Sequence, residues 1–324
     1  MFFLKLRMYL LLTVLFAIIY AVVSMISYSM GLSNFYFYLA LSLFFIFLQY
    51  LIGPKIVEWS MRVKYVEKNT HPELHRIVEG LAIRAGIPKP RIGIAAIALP
   101  NAFAFGRGLR DGRICVTEGI INLLDKNELS AVLGHEMSHL KNRDVLTITI
   151  LSVIPMVLYR IAWQFMFFGG GRRRDSSNSS NAALIGLAAF IFYFITNLLV
   201  LYASRIREYF ADRGSVSLGN HPSWLASALY KLVYGSARMD KEELKQVEGL
   251  KAFFINDPSR AFNEIRELRQ LDLDKNGIID SQELEFLRNK NIKLGFGDKL
   301  LETLSTHPNM LKRIKQLSTY SLNS

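Results

Sequence analysis

Two histidines and a glutamate stand within five consecutive residues that could bind a metal ion and use it for hydrolysis. The segment reads HEMSH, with His135, Glu136 and His139 at the positions of an HExxH motif. On an α-helix, residues i and i+4 share one face, so both imidazoles can bind one zinc ion while Glu136 reaches a water on that metal. The composition of the chain gives such a motif by chance about 0.005 times. The segment therefore predicts a catalytic zinc site.

A catalytic zinc usually takes three protein ligands and leaves one position open for water. A thiolate cluster is excluded, because Cys115 is the only cysteine. The best candidate for the third ligand is Glu208 in the segment SRIREYFADRGS, with Asp212 one turn later on the same helix face. The alternative for this acidic pair is an exposed helix face on which Arg205 or Arg207 pairs with the carboxylates.

The zinc motif needs a helix to position it, and the surrounding residues predict one. Asp125 can cap its N-terminus with Glu128 three residues later, and LSAVLGHEMSHL has apolar residues at helical spacing. An amphipathic helix is predicted over residues 71–85. Two segments, RIGIAAIALPNAFAFG and RICVTEG, predict strands joined by the turn-rich GRGLRDG. Residues 55–144 thus form the first part of an α+β catalytic domain.

A long uncharged stretch precedes that domain. No Asp, Glu, Lys or Arg occurs over residues 8–54, which as one helix would be about 70 Å long, more than twice the hydrocarbon core of a bilayer. A break at SMGLSN predicts a transmembrane hairpin within residues 1–54, with spans near 8–28 and 35–53. Basic residues flank its outer ends, which predicts that both ends face the cytoplasm. A cleaved signal peptide is the alternative.

Two further apolar blocks, residues 145–171 and 182–203, predict a second transmembrane hairpin over 145–203. The linker between them, GGGRRRDSSNSS, would place three arginines outside, against the positive-inside rule, so shallow or partial insertion is the alternative. Residues 204–324 are charged and helical in pattern. They form the second part of the catalytic domain.

The order of these motifs resembles the HtpX family of membrane zinc metallopeptidases, gluzincins related to the CAAX prenyl proteases. HEMSH follows a membrane hairpin, and EYFAD at residues 208–212 follows a further apolar pair. The resemblance covers nearly the whole chain. It implies that His135, His139 and Glu208 are the zinc ligands and that Glu136 is the general base. It also implies that Asp212 orients a histidine from outside the ligand shell.

The resemblance extends to a strand that could hold the substrate. The segment PNAFA, which contains Asn101 and Ala102, is similar to the edge-strand element of gluzincins, where backbone groups and an asparagine align a peptide as an added strand. The alternative is an ordinary hairpin strand. Asn101 and Ala102 are accordingly expected to bind substrate.

A late histidine is similar to the HP motif of the same family. STHP ends at Pro308 and is followed by Arg313 and Ile314. This makes His307 a candidate for stabilising the oxyanion that forms during peptide hydrolysis. The alternative is a histidine at the start of a helix, before a proline.

A second metal signal, unexpected for the family, lies at residues 272–283. DLDKNGIIDSQE fits the twelve-position EF-hand loop, with glycine at position 6 and oxygen-bearing residues at positions 1, 3, 5, 9 and 12. An acidic turn between helices is the alternative, since no second EF-hand is visible. The candidate calcium ligands are Asp272, Asp274, Asn276, Ile278, Asp280 and Glu283.

Together these features predict a mainly α, α+β protein with transmembrane helices and a zincin-like domain containing a small β-sheet. We expect a zinc endopeptidase in the plasma (inner) membrane, with its catalytic domain facing the cytoplasm, that cuts membrane or membrane-proximal polypeptides, misfolded ones included. Zn²⁺ is the expected catalytic cofactor and Ca²⁺ a structural or regulatory one. The net charge of +12 fits anionic lipid, and no nucleic-acid partner is expected. The alternatives are a CAAX-type prenyl-protein protease and a non-catalytic membrane scaffold.

Overall fold

The computed structural model describes residues 47, 50–168, 176–237, 264–265, 268, 270–290 and 295–320. The chain divides into two compact units, Met1–Leu51 with Thr147–Ile206 and Ile52–Leu146 with Arg207–Ser324. The described residues are mostly helical with a small mixed sheet, which confirms the predicted fold class. The predicted first hairpin, residues 1–54, lies outside the described residues except for Phe47 and residues 50–54, which are helical.

The sheet belongs to the second unit, and its described strands lie in the order β1-β2-β4-β3. They are β1 Val63–Tyr65, β2 Arg91–Ala95, β3 Ala102–Phe105 and β4 Arg113–Thr117. Strands β3 and β4 are antiparallel and form the predicted hairpin, whereas β2 pairs with β4 in parallel. Strand β3 is therefore an edge strand, with one row of its backbone groups unpaired by the described strands.

The helices account for most of the described residues. In chain order they are α1 Pro72–Ala85, α2 Glu118–Leu123, α3 Lys126–Asn142, α4 Asp144–Phe168, α5 Ser176–Ser217, α6 Pro222–Ala237, α7 Ser281–Asn289, α8 Phe296–Thr303 and α9 Met310–Leu317. Helix α1 coincides with the helix predicted over 71–85. It ends at Gly86, which takes the left-handed conformation (φ 67°) that glycine adopts readily.

Helix α3 carries the HExxH motif and begins as the sequence predicts. Asp125 Oδ1 accepts the backbone N–H groups of Asn127 and Glu128 at 2.7 and 2.9 Å. In return, Glu128 Oε2 accepts the backbone N–H of Asp125 at 2.9 Å, which completes a capping box. At the other end, Arg143 is left-handed (φ 56°) and α4 begins at the next residue. This tight turn directs Asp144 back toward the end of α3.

The core of the second unit surrounds α3. This helix packs against α1 and α6, while α9 packs on α6 and α7 contacts both α6 and α9. Fully buried apolar side chains fill these contacts, among them Leu81, Val132, Leu133, Met137 and Leu229. Because α3 is buried along most of its length, its polar side chains need partners inside the protein.

The first unit contains most of α4 and of α5. Pro155 lies inside α4 rather than ending it. Helix α5 has 42 residues, a length of about 63 Å at 1.5 Å per residue. Within the described residues, Ala183–Ser217 is the stretch that is long and apolar enough to cross a membrane, judged by length and composition. The apolar block ends at Ala203, but the helix continues without a break to Ser217, so the same helix also carries the acidic segment.

Helix α3 and the last turns of α5 approach closely at two glycines. A Cβ atom on Gly214 would lie 2.0 Å from Ser138 Oγ and 2.5 Å from Ser138 Cβ. A Cβ atom on Gly134 would lie 2.4 Å from Asn220 Nδ2 and 2.8 Å from Ser215 Oγ. The missing side chains let the two helices come together. This contact brings the acidic residues of α5 within reach of the histidines of α3.

Candidate metal centre

Three side-chain donors converge between α3 and α5. His135 Nε2 and His139 Nε2 lie 3.1 Å apart, and each lies 3.5 Å from a carboxylate oxygen of Glu208. Zinc bonds of 2.0–2.2 Å in a tetrahedron place two ligands about 3.4 Å apart. The two nitrogens and the carboxylate therefore fit one tetrahedral zinc ion with a position left for water.

The other ring nitrogen of each histidine contacts its own carboxylate. His135 Nδ1 lies 2.9 Å from Asp212 Oδ1, and His139 Nδ1 lies 2.7 Å from Asp144 Oδ2. Each Nδ1–H donates to its carboxylate, which leaves Nε2 as the nitrogen that can bind a metal ion. Such carboxylate–histidine pairs fix the tautomer and orientation of metal-binding histidines. Sequence reasoning assigned this role to Asp212 and missed Asp144.

Glu208 and Asp212 are not on an exposed helix face, since their exposed fractions are 6% and 0%. Arg313 on α9 neutralises both. Its Nη2 and Nε contact the two oxygens of Asp212 at 2.6 and 3.0 Å, and its Nη1 lies 3.1 Å from Glu208 Oε2. Arg207, the suggested surface partner, instead pairs with Asp144. Two buried arginines thus offset part of the negative charge of Asp144, Glu208 and Asp212 around the histidines.

The pKa values of the two neighbouring histidines shift in opposite directions. Burial lowers the pKa of His135, but the hydrogen bonds to Asp212 and Glu208 outweigh it and raise that pKa to about 9. Burial and the charge of His135 lower the pKa of His139. Two imidazoles whose nitrogens are 3.1 Å apart do not both hold a proton between them. A divalent cation would replace the single proton there.

Glu136 lies beside His135 and His139 and is 4% exposed. Burial raises the pKa of its carboxyl group, while the neighbouring His139 and His135 and a hydrogen bond from the Ala104 backbone N–H oppose that rise. The hydrogen bond ties Glu136 to strand β3. A carboxylate with a raised pKa, held by an edge strand and next to a metal site, can accept and return a proton.

His307 lies on the other side of Glu208. Its Nδ1 is 3.6 Å from Glu208 Oε2, and the side chain is buried. Both ring nitrogens lack a hydrogen-bond partner within the described part of the chain. His307 precedes α9, the helix of Arg313. The tertiary fold thus brings both His307, from the late HP segment, and Arg313 to Glu208 on α5. A buried imidazole whose Nδ1 faces Glu208 and whose Nε2 has no hydrogen-bond partner among the described residues can donate to a substrate oxygen through Nε2.

Ala102 begins edge strand β3, Asn101 directly precedes it, and both residues are buried. The backbone of Asn101 is bound to Thr117: Asn101 N–H donates to Thr117 Oγ1 at 2.8 Å, and Thr117 N–H donates to Asn101 O at 2.9 Å. In an antiparallel pair, alternate residues face the partner strand. Because Asn101 faces β4, the backbone groups of Ala102 and Ala104 point away from the sheet.

The predicted calcium loop lies apart from this centre, directly before α7. Asp272 and Glu283 are buried, whereas Asp274, Asn276 and Ile278 are exposed. Asp280 caps α7, because its Oδ1 accepts the backbone N–H groups of Gln282 and Glu283 at 2.9 Å. Oxygens of Asp272, Asp274 and Glu283 lie within 4.8 Å of one another. The sequence-predicted residues therefore form two separate clusters.

Sequence reasoning assigned no role to Asp144 or Arg313, and it considered Arg207 only as a surface partner of Glu208 and Asp212. Asp144 carries a local signal: it is an acidic residue at the first position after the turn that ends the HExxH helix. No local sequence pattern indicates the contacts of Arg207 and Arg313, since each contacts residues that are distant along the chain. Arg313 Nη2, for example, approaches the ring of His135 over a separation of 178 residues.

A family model matches most of the chain. The model of peptidase family M48 matches residues 68–321. The chain belongs to peptidase family M48.

Two relatives by sequence agree with this assignment. A protease HtpX homolog of Methanothermobacter thermautotrophicus is 54% identical over 230 residues, which are 71% of this chain and 86% of that protein. A protease HtpX homolog of Moorella thermoacetica is 39% identical over 222 residues, 68% of this chain and 74% of that protein. The crystal structure of S. mikatae Ste24p is similar with a TM-score of 0.48 and 17% identity, over 95% of this chain and 64% of that chain.

Membership in family M48 makes the chain a metallopeptidase whose substrates are polypeptides. The predicted resemblance to HtpX is confirmed by the relatives of that name. The two imidazole nitrogens on α3 and the carboxylate on α5 fit the zinc ion that this family implies.

Proposed function

We propose that this M48 peptidase is a membrane-anchored zinc endopeptidase with His135, His139 and Glu208 as its zinc ligands. The proposal depends on one observation above all, the approach of two Nε2 atoms and a carboxylate to 3.1–3.5 Å of one another. Asp212 and Asp144 support it, because each holds one histidine with Nε2 toward the same point.

Glu136 is the proposed general base. Bound zinc would lower the pKa of its water and polarise the carbonyl group of the peptide bond. Glu136 accepts the proton of the attacking water and then donates it to the nitrogen of the leaving amine. A pKa raised by burial favours the first transfer, because it makes the carboxylate a stronger base.

His307 is the proposed stabiliser of the negative charge that develops on the carbonyl oxygen. Its ring nitrogens are buried without a hydrogen-bond partner among the described residues, and it lies 3.6 Å from the proposed ligand Glu208. A substrate oxygen beside the metal would supply the missing acceptor. A hydrogen bond that strengthens as charge develops accelerates the reaction without tightening substrate binding to the same degree.

Strand β3 is the proposed binding site for an extended substrate. The backbone groups of Ala102 and Ala104 point away from β4, and the Ala104 N–H contacts Glu136. A polypeptide that added to this edge as a further strand would pass directly beside the general base. Asn101 anchors the strand through its two backbone hydrogen bonds with Thr117.

The membrane association is proposed from helix α5 and from the charge pattern. The Ala183–Ser217 stretch has the length and composition of a span, and residues 8–54 contain no formal charge. The domain division predicted from the sequence places a hairpin in 1–54, a second one in 145–203 and the catalytic domain in 55–144 and 204–324. Basic residues at the outer ends of the first hairpin favour an orientation in which the catalytic domain faces the cytoplasm, with the protein in the plasma membrane. The substrates would then be membrane or membrane-proximal proteins, misfolded ones included.

The test separates metal binding from proton transfer in the full-length protein purified in detergent. Glu136→Gln removes the base but no ligand, so it should abolish cleavage of an unfolded model polypeptide and retain one zinc per chain. Glu208→Ala should lose both zinc and activity. Glu118→Gln, at an exposed position, is the matched control and should retain both.

Two results would contradict the proposal. Full zinc content in Glu208→Ala would show that the third ligand lies elsewhere. A zinc-loaded wild-type protein without any peptidase activity would favour the non-catalytic scaffold. Cleavage confined to prenylated peptides would instead identify a CAAX-type protease.

A further inference from the structure

A group of carboxylates outside the metal centre lies in the loop between residues 272 and 283. One oxygen from each of Asp272, Asp274 and Glu283 lies within 4.8 Å of the others. Calcium–oxygen bonds are 2.3–2.6 Å long, so two ligands on opposite sides of one Ca²⁺ are about 5 Å apart. We propose that this loop binds one Ca²⁺ ion, at a site that shares no ligand with the zinc centre.

The strongest reason is an unpartnered oxygen of Asp272, a residue that is 7% exposed. Its Oδ2 accepts the Tyr230 hydroxyl at 2.9 Å and the Gly277 N–H at 3.0 Å. Its Oδ1 is inaccessible to solvent and has no hydrogen-bond partner in the described part of the chain. A buried carboxylate oxygen without a partner is costly in free energy, and a bound cation removes that cost.

No described basic side chain neutralises the carboxylates of this loop. Within the described residues, neither Asp272 nor Asp274 nor Glu283 forms an ion pair with a lysine, arginine or histidine. The three carboxylates therefore repel one another unless a cation lies between them. A hard divalent cation with oxygen ligands satisfies both the repulsion and the unpartnered oxygen.

The remaining oxygens of the loop favour calcium over a smaller cation. The Asn276 side chain and the Ile278 carbonyl occupy positions 5 and 7 of the twelve-residue pattern, and Gly277 (φ 81°) makes the sharp turn at position 6. Asp280 caps α7 through Oδ1, so its contribution to the ion would pass through a water. Six or seven oxygens suit Ca²⁺, whereas Mg²⁺ requires a tighter octahedron.

The site is joined to the helices that support the catalytic centre. Tyr230, whose hydroxyl donates to Asp272, lies on α6, the helix that packs against α3. Glu283 lies on α7, which contacts α6 and α9. Calcium would therefore link the loop to these helices and slow the local opening of α7. This inference does not depend on the proposed zinc ligands or general base.

The test is calorimetric titration of the zinc-loaded, full-length protein with CaCl₂ and, separately, with MgCl₂. Wild type should bind one Ca²⁺ per chain, at least ten times more tightly than Mg²⁺. Glu283→Gln keeps the shape of the side chain and an acceptor for the capping box but removes the charge, so it should weaken calcium binding at least tenfold. Glu285→Gln makes the same change at an exposed position of α7 and should bind calcium like wild type.

Hydrogen exchange provides a second readout. Calcium should slow exchange of the Leu273 and Gly277 amides, which donate to Glu283 and Asp272. If Glu283→Gln fails to fold, Asp274→Asn replaces it. Asp274 is exposed, so this substitution should leave the fold intact while it weakens calcium binding.

Three results would overturn the inference. One is the absence of calcium binding at millimolar concentration. The others are equal affinity for calcium and magnesium, and calcium binding that is the same in Glu283→Gln or Asp274→Asn as in Glu285→Gln. Any of these would reduce the segment to an acidic turn before α7.

Discussion

Gly214→Ala tests whether the close contact between α3 and α5 assembles the metal centre. Gly214 lies six residues after the proposed ligand Glu208, about 9 Å further along the same helix. An added Cβ would lie 2.5 Å from Ser138 Cβ on the HExxH helix. Ser138 Oγ can rotate away, but Cβ is fixed to the backbone, so the helices must separate.

The expected magnitude follows from that distance. Restoring an ordinary carbon–carbon contact of about 3.5 Å requires a local separation of about 1 Å. Zinc–ligand distances tolerate only about 0.2 Å, so Glu208 can no longer reach the same ion as both histidines. Overpacking costs about 1–3 kcal/mol, whereas alanine in a helix gains about 1 kcal/mol over glycine. We expect net destabilisation of up to about 2 kcal/mol and at least tenfold weaker zinc binding.

The assay is a zinc competition titration with a chromogenic chelator, combined with thermal unfolding. Gly80→Ala is the control, because a Cβ there meets only Arg84 Nη1 at 3.7 Å. It should raise stability slightly and leave zinc affinity unchanged. Adding Ser138→Gly to Gly214→Ala removes both atoms that clash, so the double variant should recover zinc affinity and show positive coupling in a double-mutant cycle.

The reasoning would be refuted if Gly214→Ala bound zinc as tightly as wild type and unfolded at the same or a higher temperature. It would also fail if Ser138→Gly did not restore zinc binding. In that case the helix spacing at this contact would not control the position of Glu208.

Three other predictions concern buried groups of the catalytic unit. Asp144→Asn removes the charged acceptor of His139 Nδ1 and should weaken zinc binding about 10–100-fold, measured by the same competition titration. Arg313→Met leaves two buried carboxylates without their cation and should lower the free energy of unfolding by about 3–5 kcal/mol, with a larger loss in chelator than in zinc. Burial raises the pKa of the Cys115 thiol to about 12, so a maleimide should label it only after denaturation, as mass spectrometry would report.

Local chemistry made much of the site predictable from the sequence. A helical spacing of i and i+4 is enough to place His135 and His139 on one face, and the Asp125–Glu128 capping box is a contact between near neighbours. The β3–β4 hairpin was predictable for the same reason. The segment SRIREYFADRGS made Glu208 and Asp212 candidates, and the family resemblance implied their roles and added His307.

The tertiary structure decided which groups meet across the chain. It assigns Asp212 to His135 and Asp144 to His139, and it brings Arg313 from α9 to both acidic residues of α5. The sequence does not specify these pairings, because each depends on the packing of helices separated by many residues rather than on spacing within one element. The edge position of β3 has the same origin, since the parallel pairing of β2 with β4 fixes which strand is left outermost. Short-range periodicity thus placed the two histidines on one helix face, whereas long-range packing determined their partners.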